Sequence, residues 1–260
     1  MSSRRLLILM LFLVQCAVIA QPLEGERLVW SDEFDYTGKP DEKKWFFQTG
    51  DGCPNLCGWG NQEKQIYTDV LENARVEDGK LIIEAVRNGE RWTSARLTTK
   101  TKKSFTYGRI EFRAKLPSGI GTWPALWMLG ENIDTKGWPV SGEIDIMEHV
   151  GRNMGIVQAA IHTNAMHGNT INKDTVIVKN VDRKFHTYTL NWKKDCLEFY
   201  VDGEKFYTYR PEKFDVNYWP FDQPQYILMN LAIGGTLGGS VIDPKMNKAR
   251  MEIDYVRVYQ

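Results

Sequence analysis

The sequence predicts a single all-β sandwich. Three observations predict it: successive segments alternate apolar and polar side chains with period two, turn signals recur about every ten residues, and no long stretch carries a capped helical period. No repeat, low-complexity tract or linker interrupts this pattern, so residues 21–260 read as one domain.

Taken in order, residues 1–20 come first. Arg4 and Arg5 precede an apolar run from Leu6 to Val14, and Val18-Ile19-Ala20 gives a small-residue cut context. This is the form of a secretory signal peptide, and the run is shorter than the roughly 20 residues a membrane span takes. The mature protein is expected to begin near Gln21, outside the cell and free of the membrane. Cys16 leaves with the leader. The Cys53-Pro54-Asn55-Leu56-Cys57 spacing suits a small loop disulfide in an oxidising compartment, and a zinc site would want more thiol or imidazole ligands than stand nearby. Cys196, within a strand-like run, reads as a buried free thiol.

Strands are expected at Lys80 to Val86, led in by the Asp78-Gly79 turn, and at Tyr107 to Leu116, Phe185 to Trp192 and Arg250 to Tyr259. Leu197 to Val201 and Glu204 to Tyr209, joined by Asp202-Gly203, form a hairpin. Residues 211–217 are expected to make one helical turn. The last strand runs to the final residue, so no appended binding module is expected.

Removing Arg4 and Arg5 turns 33 basic against 33 acidic residues into 31 against 33, a net charge near −2. Such a chain has no electrostatic reason to seek nucleic acid or anionic membrane. Nine Trp and eleven Tyr supply flat faces that suit sugar rings, although sandwiches also use Trp in their cores.

The chemistry concentrates in Ser141-Gly142-Glu143-Ile144-Asp145-Ile146-Met147-Glu148-His149-Val150. On a plain strand Glu143 and Asp145 share one face and Ile144 and Ile146 the other. Strict alternation would then bury Glu148, which is costly for an unpaired carboxylate. One extra residue, a β-bulge at Ile146-Met147, returns Glu148 to the acid face and turns Met147 inward. Three carboxylates then line one surface, and like charges that close raise at least one pKa. Glycoside hydrolysis uses such a pair, one ionised and one protonated, roughly 5–5.5 Å apart when configuration is retained. Glu143 and Glu148 meet only if their side chains lean together on a concave sheet, with Asp145 between them to keep the proton on the right partner. Without the bulge, the same row would read equally well as the solvated face of an amphipathic strand.

Here the sequence resembles glycoside hydrolase family 16, in particular its laminarinase-like endo-β-1,3-glucanases. The landmarks run in family order: Trp30-Ser31-Asp32-Glu33-Phe34, Trp59-Gly60-Asn61-Gln62-Glu63, Thr93-Ser94-Ala95-Arg96, Gly121-Thr122-Trp123-Pro124, Trp138-Pro139, Gly142 to Glu148, Ile161-His162, Asn230 to Gly235 and Asp254 to Tyr259. The resemblance implies a β-jelly-roll sandwich of two antiparallel sheets with a glucan cleft across the concave one. It implies Glu143 as nucleophile, Glu148 as general acid/base, Asp145 as their assistant, and retention at the anomeric carbon. Members with the extra residue include laminarinases, agarases and carrageenases, whereas mixed-linkage lichenases lack it. No Lys or Arg clusters beside the motif, which favours a neutral β-1,3-glucan, with mixed-linkage glucan as a second substrate.

The resemblance also assigns Trp138 and Trp123 to the cleft, His162 to a position near the acid/base, and Asn61, Glu63, Arg96 and Asn230 to sugar hydroxyls. Trp127 is left to the core. Gln62 departs from the Asn usual in the family. No organic cofactor is implied and none is required. A structural calcium on the convex side would use Asp254 with backbone oxygens near Glu33 and Gly79, although Asp254 reads equally as an exposed acid. A monomer is expected. Two rivals stay open: a non-enzymatic glucan sensor, which in this family has lost the catalytic glutamates, and an enzyme of different linkage or one that transfers the glycosyl group to another sugar.

Overall fold

The computed structural model describes residues 25–260, so the leader reading lies outside the described residues. Among the described residues seventeen strands follow one another. They are β1 Leu28–Asp32, β2 Phe46–Phe47, β3 Gln65–Tyr67, β4 Ala74–Glu77, β5 Lys80–Asn88 and β6 Arg91–Ser94. Next come β7 Arg96–Thr98, β8 Gly108–Lys115, β9 Thr122–Gly130, β10 Glu143–His149, β11 Ile156–His162 and β12 Lys173–Ile177. The last are β13 His186–Trp192, β14 Leu197–Val201, β15 Glu204–Tyr209, β16 Gln225–Ile233 and β17 Lys248–Tyr259. The expected strands and the Asp202-Gly203 hairpin are all present.

The strands form a jelly-roll sandwich of two open sheets. The back sheet runs β15-β14-β13-β8-β17-β5-β6-β3, with β1 on β17 and β4 on β5. The cleft sheet runs β12-β11-β10-β9-β16-β7-β2. Pairing is antiparallel except between β3 and β6. Strand β17 explains the assembly in miniature: Ala249, Met251 and Ile253 are buried while Lys248, Arg250 and Glu252 alternate outward. The core between the sheets joins Leu126, Met128, Ile144, Met147 and Met229 to Ile83, Ile110, Phe112 and Val256, all with no exposed surface. Burying side chains of this size contributes about 1.5–3 kcal/mol each before entropy is counted.

Residues 211–217 form no helix. The Asp215 side chain accepts the Asn217 N–H, and Tyr218 and Trp219 return to the Asp215 carbonyl. The one turn therefore forms a few residues later, at 215–219, capped by the Asp215 side chain, and is not continued into a helix. Among the described residues no helix is long and apolar enough to cross a membrane. Cys53 and Cys57 are disulfide-bonded, and Cys196 is a buried free thiol.

Candidate active site

Strand β10 carries the acid row and is the third of the seven strands of the cleft sheet. Gly142, just before it, has φ +76° and packs so tightly on Pro220 that an added Cβ would stand 2.5 Å from that ring. Only glycine fits both the backbone and the space. Beyond it, Asp145 pairs with Trp127 of β9, but Met147, not Ile146, pairs with Leu126. On the other side Asp145 pairs with Ala160 and Glu148 with Gln158, so three steps on β10 answer two on β11. This is the expected bulge. It sends both Ile146 and Met147 into the core and brings Glu148 back to the side of Glu143 and Asp145.

Neighbouring strands supply the partners by register. Gln158, opposite Glu148, donates to its Oε2 at 3.0 Å, and Trp123 of β9 donates its indole N–H to Oε1 at 3.0 Å. Trp138, in the loop before β10, donates to Glu143 Oε2 at 3.1 Å. His162, opposite Glu143, brings Nε2 to 3.2 Å from Asp145 Oδ2 and 3.6 Å from Glu143 Oε1.

Burial drives the electrostatics. It pushes the Glu143 carboxyl up to about 8, helped by the charge of Asp145. Burial raises Asp145 as well, with the Glu148 charge adding to it. Glu148 is raised by burial, but the N–H donors of Trp123 and Gln158 oppose the shift. The row therefore holds at least one proton at neutral pH, shared among coupled groups.

One flank of the cleft is walled. Glu63 accepts from Gln65 at 2.6 Å, Tyr67 at 3.0 Å and Asn61 at 3.3 Å. Asn230 of β16 donates to the Tyr67 hydroxyl and accepts the indole N–H of Trp127. The Arg96 guanidinium lies between the Trp59 and Trp127 rings, 4.5 and 4.8 Å from their centroids, while its Nε donates to Gln48. Gly235, with φ +82°, lets the loop carrying Asn61 close onto β16, because a Cβ there would meet the Asn61 carbonyl at 2.9 Å. The enclosed volume is about 340 Å³, and Asn61, Glu63, Arg96, Trp123, Trp138 and Asn230 line it together with the three acids.

Every expected cleft residue thus meets in one place. One assignment is corrected: Trp127 is not core but half-buried on the cleft wall. Strand β9 alternates, and Trp123, Ala125, Trp127 and Leu129 all take the cleft side. The sequence reading missed Gln158, Trp59, Tyr67, Gln65 and Gln48. Gln158 was discoverable, since it lies four residues before His162 on one strand and so on the same face.

Asp254 lies across the molecule on the back sheet, where Arg113 holds its Oδ2 at 2.5 Å. Among the described residues the one cluster of three His, Cys, Asp or Glu donors is Glu143, Asp145 and His162. A calcium at Asp254 would share that carboxylate with a guanidinium and draw its other ligands from carbonyl oxygens. It would touch nothing in the cleft.

A β-sandwich whose cleft sheet carries a carboxylate row between indole donors has the pair of acids that glycoside hydrolysis uses, and so falls in the class of carbohydrate-cleaving sandwich enzymes. Sequence comparison places the chain within that class. Residues 61–257 match the profile of Glycosyl hydrolases family 16, and the chain belongs to that family. It is 44% identical to a β-glucanase of Rhodothermus marinus, over 99% of this chain and 94% of that protein. It is 37% identical to a glucan endo-1,3-β-glucosidase of Cryptopygus antarcticus, over 88% and 90%. The crystal structure of a laminarinase from Flavobacterium sp. UMI-01 superposes with a TM-score of 0.87 at 48% identity, covering 90% of this chain and 100% of that one.

Proposed function

We propose that this protein is a secreted, retaining endo-β-1,3-glucanase acting on laminarin-type glucan, with mixed-linkage β-1,3-1,4-glucan as a second substrate. The observation that carries the reading is the bulge in β10, which turns Glu143, Asp145 and Glu148 to one face of a tryptophan-walled cleft. The Cryptopygus and Flavobacterium relatives, matched over most of their length, support the linkage. Export is supported by the leader pattern of residues 1–20 and by the Cys53–Cys57 disulfide.

In this reading the Glu143 carboxylate attacks the anomeric carbon while Glu148 gives its proton to the leaving glycosidic oxygen. The C–O bond breaks and a glycosyl ester to Glu143 forms. Glu148, now ionised, takes a proton from water as the water oxygen displaces Glu143, which restores both groups with net retention. The Trp138 N–H and the nearby His162 Nε2 work against the burial that raises Glu143, so its anion, the minor form near neutral pH, is the reacting one, and Asp145 keeps a proton within the row. Trp123 and Gln158 fix the Glu148 carboxyl. Asn61, Glu63 and Asn230 orient sugar hydroxyls through their shared network. Arg96 is the one cation lining the pocket around the acid row among the described residues, and two indoles enclose it, which suits a neutral polymer better than a sulfated one. One chain supplies the whole site, so a monomer suffices.

The test is a substrate panel of laminarin, lichenan and agarose with product sizing. The reading expects a ladder of oligosaccharides from laminarin and some release from lichenan. Binding of laminarin with no reducing sugar at any pH would make the protein a sensor instead.

A further inference from the structure

Past the acid row the cleft sheet continues for two strands, and register fixes what they present. Gln158 stands opposite Thr175, and Ile156 opposite Ile177. Val157, Ala159 and Ile161 face the core and Val176 packs against it, so Ile156, Gln158, Thr175 and Ile177 share the cleft face. Ile177 is 79% exposed and Ile156 41%, with Met154 beside them 43% exposed. Sheet edges are commonly guarded by charge, so an outward isoleucine on edge strand β12 stands out. Strand spacing near ~4.8 Å and a rise near ~3.4 Å put Ile177 roughly 12 Å from Glu148. Met154 and Ile177 also border a hollow of about 440 Å³, walled further by Lys179, Asn180 and Arg183.

A pyranose offers an apolar C–H face and a rim of hydroxyls. Exposed aliphatic side chains suit the first, and the amide, ammonium and guanidinium groups around the hollow suit the second. The surface is continuous with the cleft through Gln158 and Thr175. We propose that Ile156, Ile177, Met154 and the adjoining hollow form a distal subsite that holds the glucan chain as it leaves the cleft on the side opposite Arg96. This rests on the reading of the protein as a β-glucan hydrolase. The subsite selects for polymer length, because a short substrate bound across the acid row does not reach it.

The experiment compares the full chain with Ile177→Asp and Ile177→Val. It measures kcat and KM on laminarin and on a nitrophenyl glycoside of a two-residue β-1,3-glucan, with a thermal melt to check folding. Ile177→Asp is expected to lower kcat/KM on laminarin roughly threefold to tenfold, through KM. The short glycoside should be unaffected, and Ile177→Val should match the parent on both. Loss of equal size on both substrates, or no loss on laminarin, overturns the subsite. A parent protein inert on both substrates would instead overturn the hydrolase reading on which the subsite depends.

Discussion

The two flanks of the cleft are built differently. On the β9–β16–β7 side, polar groups are held by one another: Glu63 by Asn61, Gln65 and Tyr67, Asn230 by Tyr67 and Trp127, Arg96 by Gln48 and two indoles. On the β11–β12 side, Thr175 and Ile177 stand in water with no aromatic neighbour in register. A preorganised flank binds without ordering its side chains anew, whereas a thinly furnished one binds loosely. In the proposed reading the walled flank orients the sugar, and the open one holds the far end of the chain only loosely. In that reading the acid row between them supplies the chemistry.

The largest expected effect falls on the row itself. Glu143→Ala and Glu148→Ala should each cost at least about 10²–10⁴ in kcat on laminarin with little change in KM. Loss through KM alone would move these residues from chemistry to binding. On the walled flank, Arg96→Ala should raise KM for laminarin about tenfold, since it removes the guanidinium that spaces Trp59 and Trp127. An effect there clearly smaller than that of Ile177→Asp would erase the proposed difference between flanks.

A smaller effect concerns stability. The Glu143 carboxyl, about 8 in the fold against an ordinary 4.5, binds its proton more tightly folded than unfolded. Its contribution is therefore most favourable below pH 4.5 and is lost as pH rises toward 8. Glu143→Gln should match the parent in Tm near pH 4 and exceed it at pH 8–9, by on the order of 10 °C if the full shift is relieved, at roughly 2–4 °C for each kcal/mol. Equal Tm values at both pH extremes would mean that the row carries no such strain.

Much of this was legible in the chain because the physics is local. The bulge followed from the cost of burying Glu148, and the hairpin from Asp202-Gly203. Trp127 is misplaced by the sequence reading although alternation from Trp123 puts it in the cleft, since tryptophan also serves sandwich cores. The network around Glu63 had no local signal. It depends on the 57–64 loop meeting β16 through the Glu63 to Gly234 bridge, a contact between residues far apart in sequence. Asn61, Glu63, Arg96 and Asn230 were reached through family resemblance, not through spacing. The turn expected over 211–217 lies at 215–219 instead, because Asp215 is the residue whose side chain caps it.

The division of labour within the row is tested most directly by chemical rescue. Glu148→Ala, given a substrate with an activated leaving group and excess sodium azide, has room for azide beside the glycosyl ester on Glu143. Attack on that ester from the side opposite Glu143 yields a β-glycosyl azide, visible in the anomeric region of the proton NMR spectrum. An α-azide from this variant would contradict the account and make Glu148 the nucleophile.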